Sequence, residues 1–307
     1  MKFINIYLIL SVLALLVCGC DNENDPVASE NLGFTTIFGP DENADPIVKE
    51  LYQKYGVWVR MDFTDQVEVT NGILGAEVNW CTVVKILDED RQNALTYIST
   101  LMSHVDPGFA KKYFPLEFFF VNKYVAGWPK ELAPIGRSRL LITWPYLYGI
   151  EVNDPANYYY EDDGMTWQVW SEVASMITSR MAEPVADFAN AGKAYDGGAA
   201  RDQMWAEYEK DDDWEKVQAT KQAICDAGGH ISFSGSVSFE VDFAQWLTTV
   251  LTTSYDNIKA WYLDGGKTYQ DKYNALIKFF NEEGWDIQAA GNLYQKKNDA
   301  YYESQDE

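Results

Sequence analysis

The spacing of apolar residues predicts short mixed elements in the first half of the chain and long helices in the second. A helix is predicted to begin at Asp45-Pro46, where an N-cap residue precedes a proline at the first helical position. It should end near Tyr55-Gly56. Apolar residues then alternate with larger or polar ones through 57–63, which is the pattern of a half-buried strand.

The helical spacing of apolar residues and the alternation typical of strands both recur in later segments. Helical spacing is found within 88–105, 167–181, 239–251, 269–280 and 287–297, and buried strands are predicted within 115–125 and 139–144. Residues 190–213 are polar and rich in Gly and Asp, so a long surface excursion is predicted there, while 73–86 is ambiguous. The expected fold class is α+β, with a small N-terminal mixed sheet with helices and a mostly helical C-terminal half.

The N-terminus has the pattern of a lipoprotein signal. Lys2 precedes a short apolar run, and the run closes with Val17-Cys18-Gly19-Cys20, which resembles a bacterial lipobox. Residues 1–19 are therefore predicted to be a signal peptide and Cys20 to be lipidated, whereas an ordinary signal peptide cut nearby is the alternative. We expect several acyl chains on Cys20 to anchor the protein stably in a membrane.

An acidic segment follows Cys20 and sets the expected localisation. Residues 20–40 are predicted to be the lipidated cysteine and a tether, and they resemble the export tags of outer-membrane lipoproteins that face the cell exterior. A plain solvated linker is the alternative. No domain boundary is evident in residues 41–307, so a single domain is predicted, with a subdivision possible near 185–235.

Charge and cysteine content narrow the function classes. The 307 residues contain 24 Lys and Arg against 47 Asp and Glu, a formal net charge of −23, which argues against nucleic acid as a partner. Hydrophobic residues make up 47% of the chain, enough for a substantial core. In the chain after the signal peptide, Cys81 and Cys225 remain beside Cys20, either as one disulfide or as two buried thiols.

The candidate chemistry lies on the helix predicted at 167–181. The sequence has no glycine-rich phosphate loop and no Gly-x-Ser-x-Gly elbow. The helix carries Ser171-Glu172-x-x-Ser175 where a zinc peptidase carries His-Glu-x-x-His, whose histidines bind zinc from one helix face. The only histidines, His104 and His230, are far from this helix in sequence and are expected to be structural.

Several segments, taken in order, carry a resemblance to one family. They are the lipobox, LYQKYGVWV (51–59), GFAKKYFP (108–115), Gly136-Arg137, the Ser-Glu-x-x-Ser helix, EVDFA (240–244) and FFNEEGWDI (279–287). On these segments the chain is similar, over nearly the whole mature chain, to the substrate-import-associated zinc metallohydrolase lipoproteins of Bacteroidetes, a zinc-binding metallopeptidase family. The resemblance implies a zincin-like fold, a metallopeptidase-like domain at 41–307 and zinc as the family's metal. It implies as partners a TonB-dependent porin and its surface lipoprotein (SusC/SusD-type), which import oligosaccharides or peptides.

The departure from the family motif decides the functional expectation. Ser171 and Ser175 stand where the resemblance implies ligand histidines, and a neutral hydroxyl is not a usual zinc ligand. Glu172 keeps the general-base position and would be catalytic only in an active enzyme. No metal or cofactor is expected, with zinc only if the family activity is retained. The prediction is therefore a surface-exposed outer-membrane lipoprotein, accessory to the import complex, catalytically inactive and binding a substrate or partner.

Aromatic residues are the candidate ligand-binding groups. Trp144, Tyr146 and Tyr159 are predicted to contact an oligosaccharide or peptide, since flat rings stack on sugars and anchor interfaces. They belong to clusters interpreted as exposed, at 144–148 and 158–160, and a third cluster comprises Trp205, Tyr208 and Trp214. The alternative is that these side chains belong to the core or its edge.

Three rival functions are kept open. An active metallohydrolase would bind its metal through unrecognised ligands, with Glu172 joined by Glu240 or Asp242, whose oxygens suit a hard cation better than zinc. A dedicated glycan-binding lipoprotein would lose affinity on replacement of Tyr159 or Trp144. A purely structural subunit would co-purify with a porin and bind no soluble ligand.

Overall fold

The computed structural model describes residues 38–70, 81–144, 158–161, 164–193, 197–211, 213–233 and 238–305. The chain divides into two units, Met1–Gly39 and Pro40–Glu307, and all the elements below belong to the second unit. Cys20, Tyr146 and the predicted tether up to residue 37 lie outside the described residues. Within the described residues, no helix combines the length and apolar character that crossing a bilayer requires.

Helices dominate the second half of the chain, as the periodicity predicts. The helices are α1 (Pro46–Tyr55), α2 (Gln66–Thr70), α3 (Arg91–Ser103), α4 (Pro107–Tyr113), α5 (Met165–Arg180), α6 (Ala186–Asn190), α7 (Gly197–Asp211), α8 (Trp214–Gly228), α9 (Phe239–Thr252), α10 (Tyr255–Trp261), α11 (Lys267–Glu282) and α12 (Ile287–Gln305).

The first helix shows how local sequence sets the element ends. The Asp45 carboxylate accepts a hydrogen bond from the Ile47 backbone N–H at 2.8 Å, and Pro46 occupies the first turn. Gly56 ends α1 in the left-handed conformation with φ of 73°, which a residue with a Cβ rarely adopts. The predicted start and end of this helix are confirmed.

One mixed sheet lies in the N-terminal half. Its strands are β1 (Trp58–Arg60), β2 (Cys81–Lys85), β3 (Glu117–Ala126), β4 (Trp128–Pro129), β5 (Leu132–Ile135) and β6 (Arg139–Thr143). The order is β1-β3-β6-β5, with β1 and β6 parallel to β3 and with β5 antiparallel to β6 at one end. β2 and β4 pair antiparallel with β3 as well. The α+β class with a small mixed sheet is confirmed.

The two faces of the sheet belong to different apolar layers. Phe118 and Phe120 of β3 point into the large core beneath the helices, whereas Phe119 and Val121 point into a smaller cluster on the opposite face. This alternation follows from the period of two along a strand. The large core, and with it most of the helical half, therefore lies on one side of the sheet.

The segment 190–213 contains a helix that the sequence pattern does not predict. The pattern predicts a long surface excursion, and most described side chains of Gly197–Asp211 are exposed, but the segment is helical and packs against α8. Met204 of α7 and Val217 of α8 belong to a small apolar cluster of their own. The helix has no sequence signal because it lacks a marked apolar stripe, and its packing with α8 supplies what the local pattern lacks. The subdivision near 185–235 stays a prediction.

A glycine contact fixes the crossing of the two long helices α9 and α12. A Cβ placed on Gly291 of α12 would lie 1.8 Å from the Val250 carbonyl oxygen and 2.7 Å from that of Thr253. Such distances are far inside van der Waals contact, so only glycine lets the two backbones approach this closely. The position of α12 relative to α9 depends on this contact.

Substituting Gly291→Ala should therefore destabilise the fold through overpacking, by about 1–3 kcal/mol. The measurement is urea unfolding followed by circular dichroism. Gly265→Ala is the matched control, because the nearest atom to its added Cβ would be 3.7 Å away. Equal unfolding midpoints for the two variants would contradict the close approach of α9 and α12.

Candidate functional site

The Ser-Glu-x-x-Ser sequence lies on α5, one face of which is committed to the core. Val169, Trp170, Val173 and Ile177 are fully buried on that face, and α5 packs against α9 and approaches β5. Because side chains three and four positions apart share a helix face, Gln168, Ser171, Glu172 and Ser175 follow the opposite, polar side. The sequence prediction of a core-facing helix at 167–181 is confirmed.

The three motif residues differ in their surroundings. Ser175 is exposed, and its Oγ donates a hydrogen bond to the Ser171 carbonyl oxygen at 3.0 Å. Ser171 and Glu172 are half-buried. Burial raises the pKa of the Glu172 carboxyl above its ordinary value, since removal from water penalises the charged form.

Two adjoining depressions run along the polar side of α5. The first, of about 380 Å³, is bounded by α5 and the start of β5, with Glu131, Leu132, Trp167, Gln168, Ser171 and Glu172 as its lining. The second, of about 390 Å³, is lined by Gly164, Trp167, Gln168, Thr252, Thr253, Trp261, Tyr294, Gln295 and Asn298. Since Trp167 and Gln168 line both, we treat the two as one site and name it the α5 groove.

The donor set of the groove does not fit zinc. Among its lining residues, Ser171 offers a neutral hydroxyl and Glu131 and Glu172 offer carboxylates, and Ser175 adds only a second hydroxyl on the same side of α5. Zinc sites in proteins use three or four thiolate, imidazole or carboxylate ligands. Within the described ranges, no three His, Cys, Asp or Glu side chains come together in a way that could hold a metal ion. The groove residues thus supply no zinc site of the usual composition.

His104 is held by aromatic neighbours at the end of α3. Its Nε2 lies 2.9 Å from the Tyr160 hydroxyl, and its ring stacks on the Tyr159 ring at a centroid distance of 5.2 Å. Burial lowers the pKa of His104 to about 4, so the imidazole is neutral at physiological pH. This environment agrees with the expected structural role.

The second histidine, His230, lies beside one of the two candidate carboxylates of α9. The Asp242 carboxylate pairs with the buried Lys272 ammonium, and its Oδ1 lies 3.0 Å from His230 Nδ1. Glu240 is exposed in the first turn of α9, where a hydrogen bond with Ser238 lowers the pKa of Glu240. Within the described residues, neither carboxylate belongs to a group of three or more His, Cys, Asp or Glu side chains that could hold a metal ion, and the pairing of either one with Glu172 stays a hypothesis.

The expected exposure is wrong for Trp144 and for the cluster at 158–160, whereas residues 145–148, which include Tyr146, lie outside the described residues. Trp144 and Tyr159 are almost fully buried. The Tyr159 hydroxyl accepts a hydrogen bond from Trp170 Nε1 at 2.7 Å, and Trp144 packs on Tyr97 with ring centroids 5.2 Å apart. Tertiary packing covers these rings, which a short aromatic run does not reveal.

Two tryptophans of the third aromatic cluster are exposed. Trp205 lies on α7 and Trp214 on α8, and the ring centroid of each lies near that of Tyr208, at 5.9 and 5.8 Å respectively. Cys81 and Cys225 are both buried and are not joined by a disulfide, so the alternative of two buried thiols is confirmed and the disulfide alternative is wrong.

Sequence reasoning missed the two tryptophans of the α5 groove. Trp167 is 48% exposed and Trp261 is 61% exposed, unlike Trp144, Trp170 and Trp246, which are fully buried. A signal for Trp167 is present in the sequence, because it stands one turn before Ser171 on the polar side of a helix. Trp261 ends the short helix α10, and no local pattern connects it to α5.

Comparison with protein-family models, with curated proteins and with solved structures found no match for this chain.

The raised pKa of Glu172 predicts a pH-dependent cost to stability. The folded state holds the carboxyl proton more tightly than the unfolded chain, so stability is lost as pH rises through the range between the ordinary Glu pKa and the raised one. We expect Glu172→Gln to be more stable than the wild type at neutral pH. The difference should disappear below the ordinary Glu pKa of about 4.3.

Urea unfolding at neutral and acidic pH measures this difference. Glu282→Gln, an exposed position on α11, controls for the general benefit of removing one charge from an acidic chain. A Glu172→Gln variant less stable than the wild type at neutral pH would contradict the predicted desolvation of this carboxylate.

Proposed function

We propose that this protein is a surface-exposed outer-membrane lipoprotein, accessory to a TonB-dependent nutrient-import complex, whose zincin-like scaffold binds a ligand or partner without hydrolysing it. The observation that carries the proposal is the α5 groove, which Ser171 and Glu172 line, while Ser175 follows one turn later on the same polar side of the core-facing helix. The groove is open to solvent, but the three motif positions carry two hydroxyls and one carboxyl.

The zincin-like assignment is supported by the way the motif helix meets the sheet. α5 lies beside β5, the antiparallel strand at one end of the sheet, and the first depression of the groove opens between them. In this arrangement, one edge of β5 would face Ser171 and Glu172 across the first depression. The family resemblance of the sequence segments points to the same scaffold.

The loss of hydrolysis follows from the chemistry of the motif. A zinc hydrolase needs a metal ion to lower the pKa of its bound water, and a carboxylate to take the proton. Glu172 retains the second role, but Ser171 and Ser175 cannot replace two imidazole ligands. The groove retains hydroxyls and a carboxyl that can hydrogen-bond a ligand.

Zinc binding tests this proposal. We expect the full-length protein, purified without chelator, to contain no stoichiometric zinc by elemental analysis and to show no thermal shift on zinc addition. Ser171→His combined with Ser175→His should gain a zinc-dependent thermal shift, because it restores an i, i+4 imidazole pair on one helix face.

The double variant also shows whether the assay could detect a site at this position. One tightly bound zinc per wild-type chain would overturn the proposal. So would peptidase activity on casein that is abolished by both chelator and Glu172→Gln. Bound zinc would show that metal ligands exist beyond Ser171, Glu172 and Ser175, and the hydrolysis would identify an active metallohydrolase.

Membrane anchoring through Cys20 is tested in a Bacteroides-type host. Cys20→Ala should move the protein from the outer-membrane fraction to the soluble fraction and abolish its cleavage by protease added to intact cells, because the acyl chains that hold it are lost. Cys18→Ala is the matched control, since this residue is discarded with the signal peptide and should leave both readouts unchanged. Retention of Cys20→Ala in the outer membrane would contradict lipid anchoring at this residue.

A further inference from the structure

We propose that the α5 groove binds a neutral oligosaccharide, with Trp167 and Trp261 stacking on sugar rings and with side-chain amides of Gln168, Gln295 and Asn298 hydrogen-bonding its hydroxyls. This inference rests on the proposed function in that the groove binds a ligand without cleaving it. It adds the class of ligand and the residues that hold it.

The two tryptophans are exposed in a way that the fold does not require. Neither ring contacts another aromatic ring in the described part of the chain, whereas Trp205 and Trp214 each pack on Tyr208. Large apolar side chains that share a concave, open site are a feature of binding surfaces rather than of ordinary solvated ones. Indole rings offer flat faces, and these suit the apolar C–H faces of sugar rings.

The polar residues between the tryptophans are held in place by the protein. Asn298 is buried, and its Nδ2 donates to the Tyr160 carbonyl oxygen at 2.8 Å, which leaves the Asn298 Oδ1 as an acceptor. Gln295 Nε2 donates to the Asp299 carboxylate at 2.8 Å on the same helix. Gln295 Oε1 also accepts from Asn257 Nδ2 at 3.5 Å. Fixed amides lose little rotamer entropy when a ligand binds, and an amide that makes one bond through each atom keeps a second N–H and a second lone pair for sugar hydroxyls.

The charge of the groove favours a neutral ligand. The residues that line the second depression, as far as the structure describes them, include no charged side chain, and the Asp299 carboxylate outside the lining accepts from Gln295 Nε2. Glu131 and Glu172 line the other end of the groove, where carboxyl groups can accept from sugar hydroxyls. An anionic ligand would also meet the net charge of −23 on the whole chain.

The shape of the groove favours a sugar over an extended peptide. A peptide that adds to a sheet needs a row of backbone groups, and β5 supplies such an edge only beside the first depression. The second depression is walled by α5, α12 and the region where α9 gives way to α10, so it offers side chains instead of a strand edge. Its aromatic and amide groups are the chemistry that recognises a carbohydrate.

Isothermal titration of the full-length protein tests the inference. The probes are maltohexaose, cellohexaose and mannohexaose, with the peptide acetyl-hexaalanine amide for comparison. Lauryldimethylamine oxide is a suitable detergent, because maltoside detergents carry sugar headgroups that would compete for the site. We expect at least one hexasaccharide to bind, with an affinity unchanged by chelator, and the peptide not to bind.

Single variants locate the site. Trp167→Ala and Trp261→Ala should each weaken binding by about tenfold or more, since each removes one stacking platform. Trp128→Ala is the matched control, because Trp128 is 69% exposed on β4 and is not part of the groove. Trp214→Ala tests the exposed cluster on α7 and α8, and we expect wild-type affinity for both controls.

Several outcomes would overturn the inference. Failure of all three hexasaccharides to bind would do so, as would binding of the peptide alone. Sugar binding that is lost in Trp214→Ala but kept in Trp167→Ala would place the site elsewhere. These readouts are independent of zinc content and casein hydrolysis, so a failure of the oligosaccharide inference is distinguishable from a failure of the proposed function.

Discussion

The burial of one face of α5 is the constraint on which the site depends. Trp170, Val173 and Ile177 are fully buried in the large core, which fixes the rotation of the helix about its axis. With 3.6 residues per turn, that rotation leaves Ser171 and Trp167 on the open side. The close approach at Gly291 then sets α12 against α9 and thereby positions the other wall of the groove.

The motif positions of α5 carry side chains that differ from those of a zinc enzyme. Hydroxyls at 171 and 175 do not disturb the packing of α5, because these positions face away from the core. The half-buried Glu172 adds an electrostatic cost that a purely structural helix would not need. A groove that binds a ligand through hydrogen bonds gives that carboxyl a role that does not require a metal.

Sequence periodicity predicts an element correctly where that element buries a regular stripe of apolar side chains. The strand pattern from Val57 and the helical pattern of α9 both predict elements that are present, because each buries every second residue or one helix face. Periodicity fails for α7, whose stability depends on its pairing with α8. It also fails for the exposure of Trp144 and Tyr159, because which surface is covered is decided by distant segments.

Only the residues of the candidate site that lie on the single helix α5 can be predicted from the sequence. Ser171 and Glu172 follow from one helix, and their spacing is visible in the sequence. Trp261 and Asn298 reach the groove from α10 and α12, far from α5 along the chain, so only tertiary packing brings them to Trp167. A binding surface built from several helices has no short sequence signature, in contrast to a metal motif on a single helix.

We propose that the motif positions on α5 hold no zinc and that the groove beside them binds a ligand. Anomalous X-ray scattering at the zinc edge, from crystals of this protein grown with zinc, tests this most directly. We expect an intact groove with no anomalous peak within bonding distance of Glu172, Ser171 or Ser175. A strong peak coordinated by Glu172 would contradict the claim.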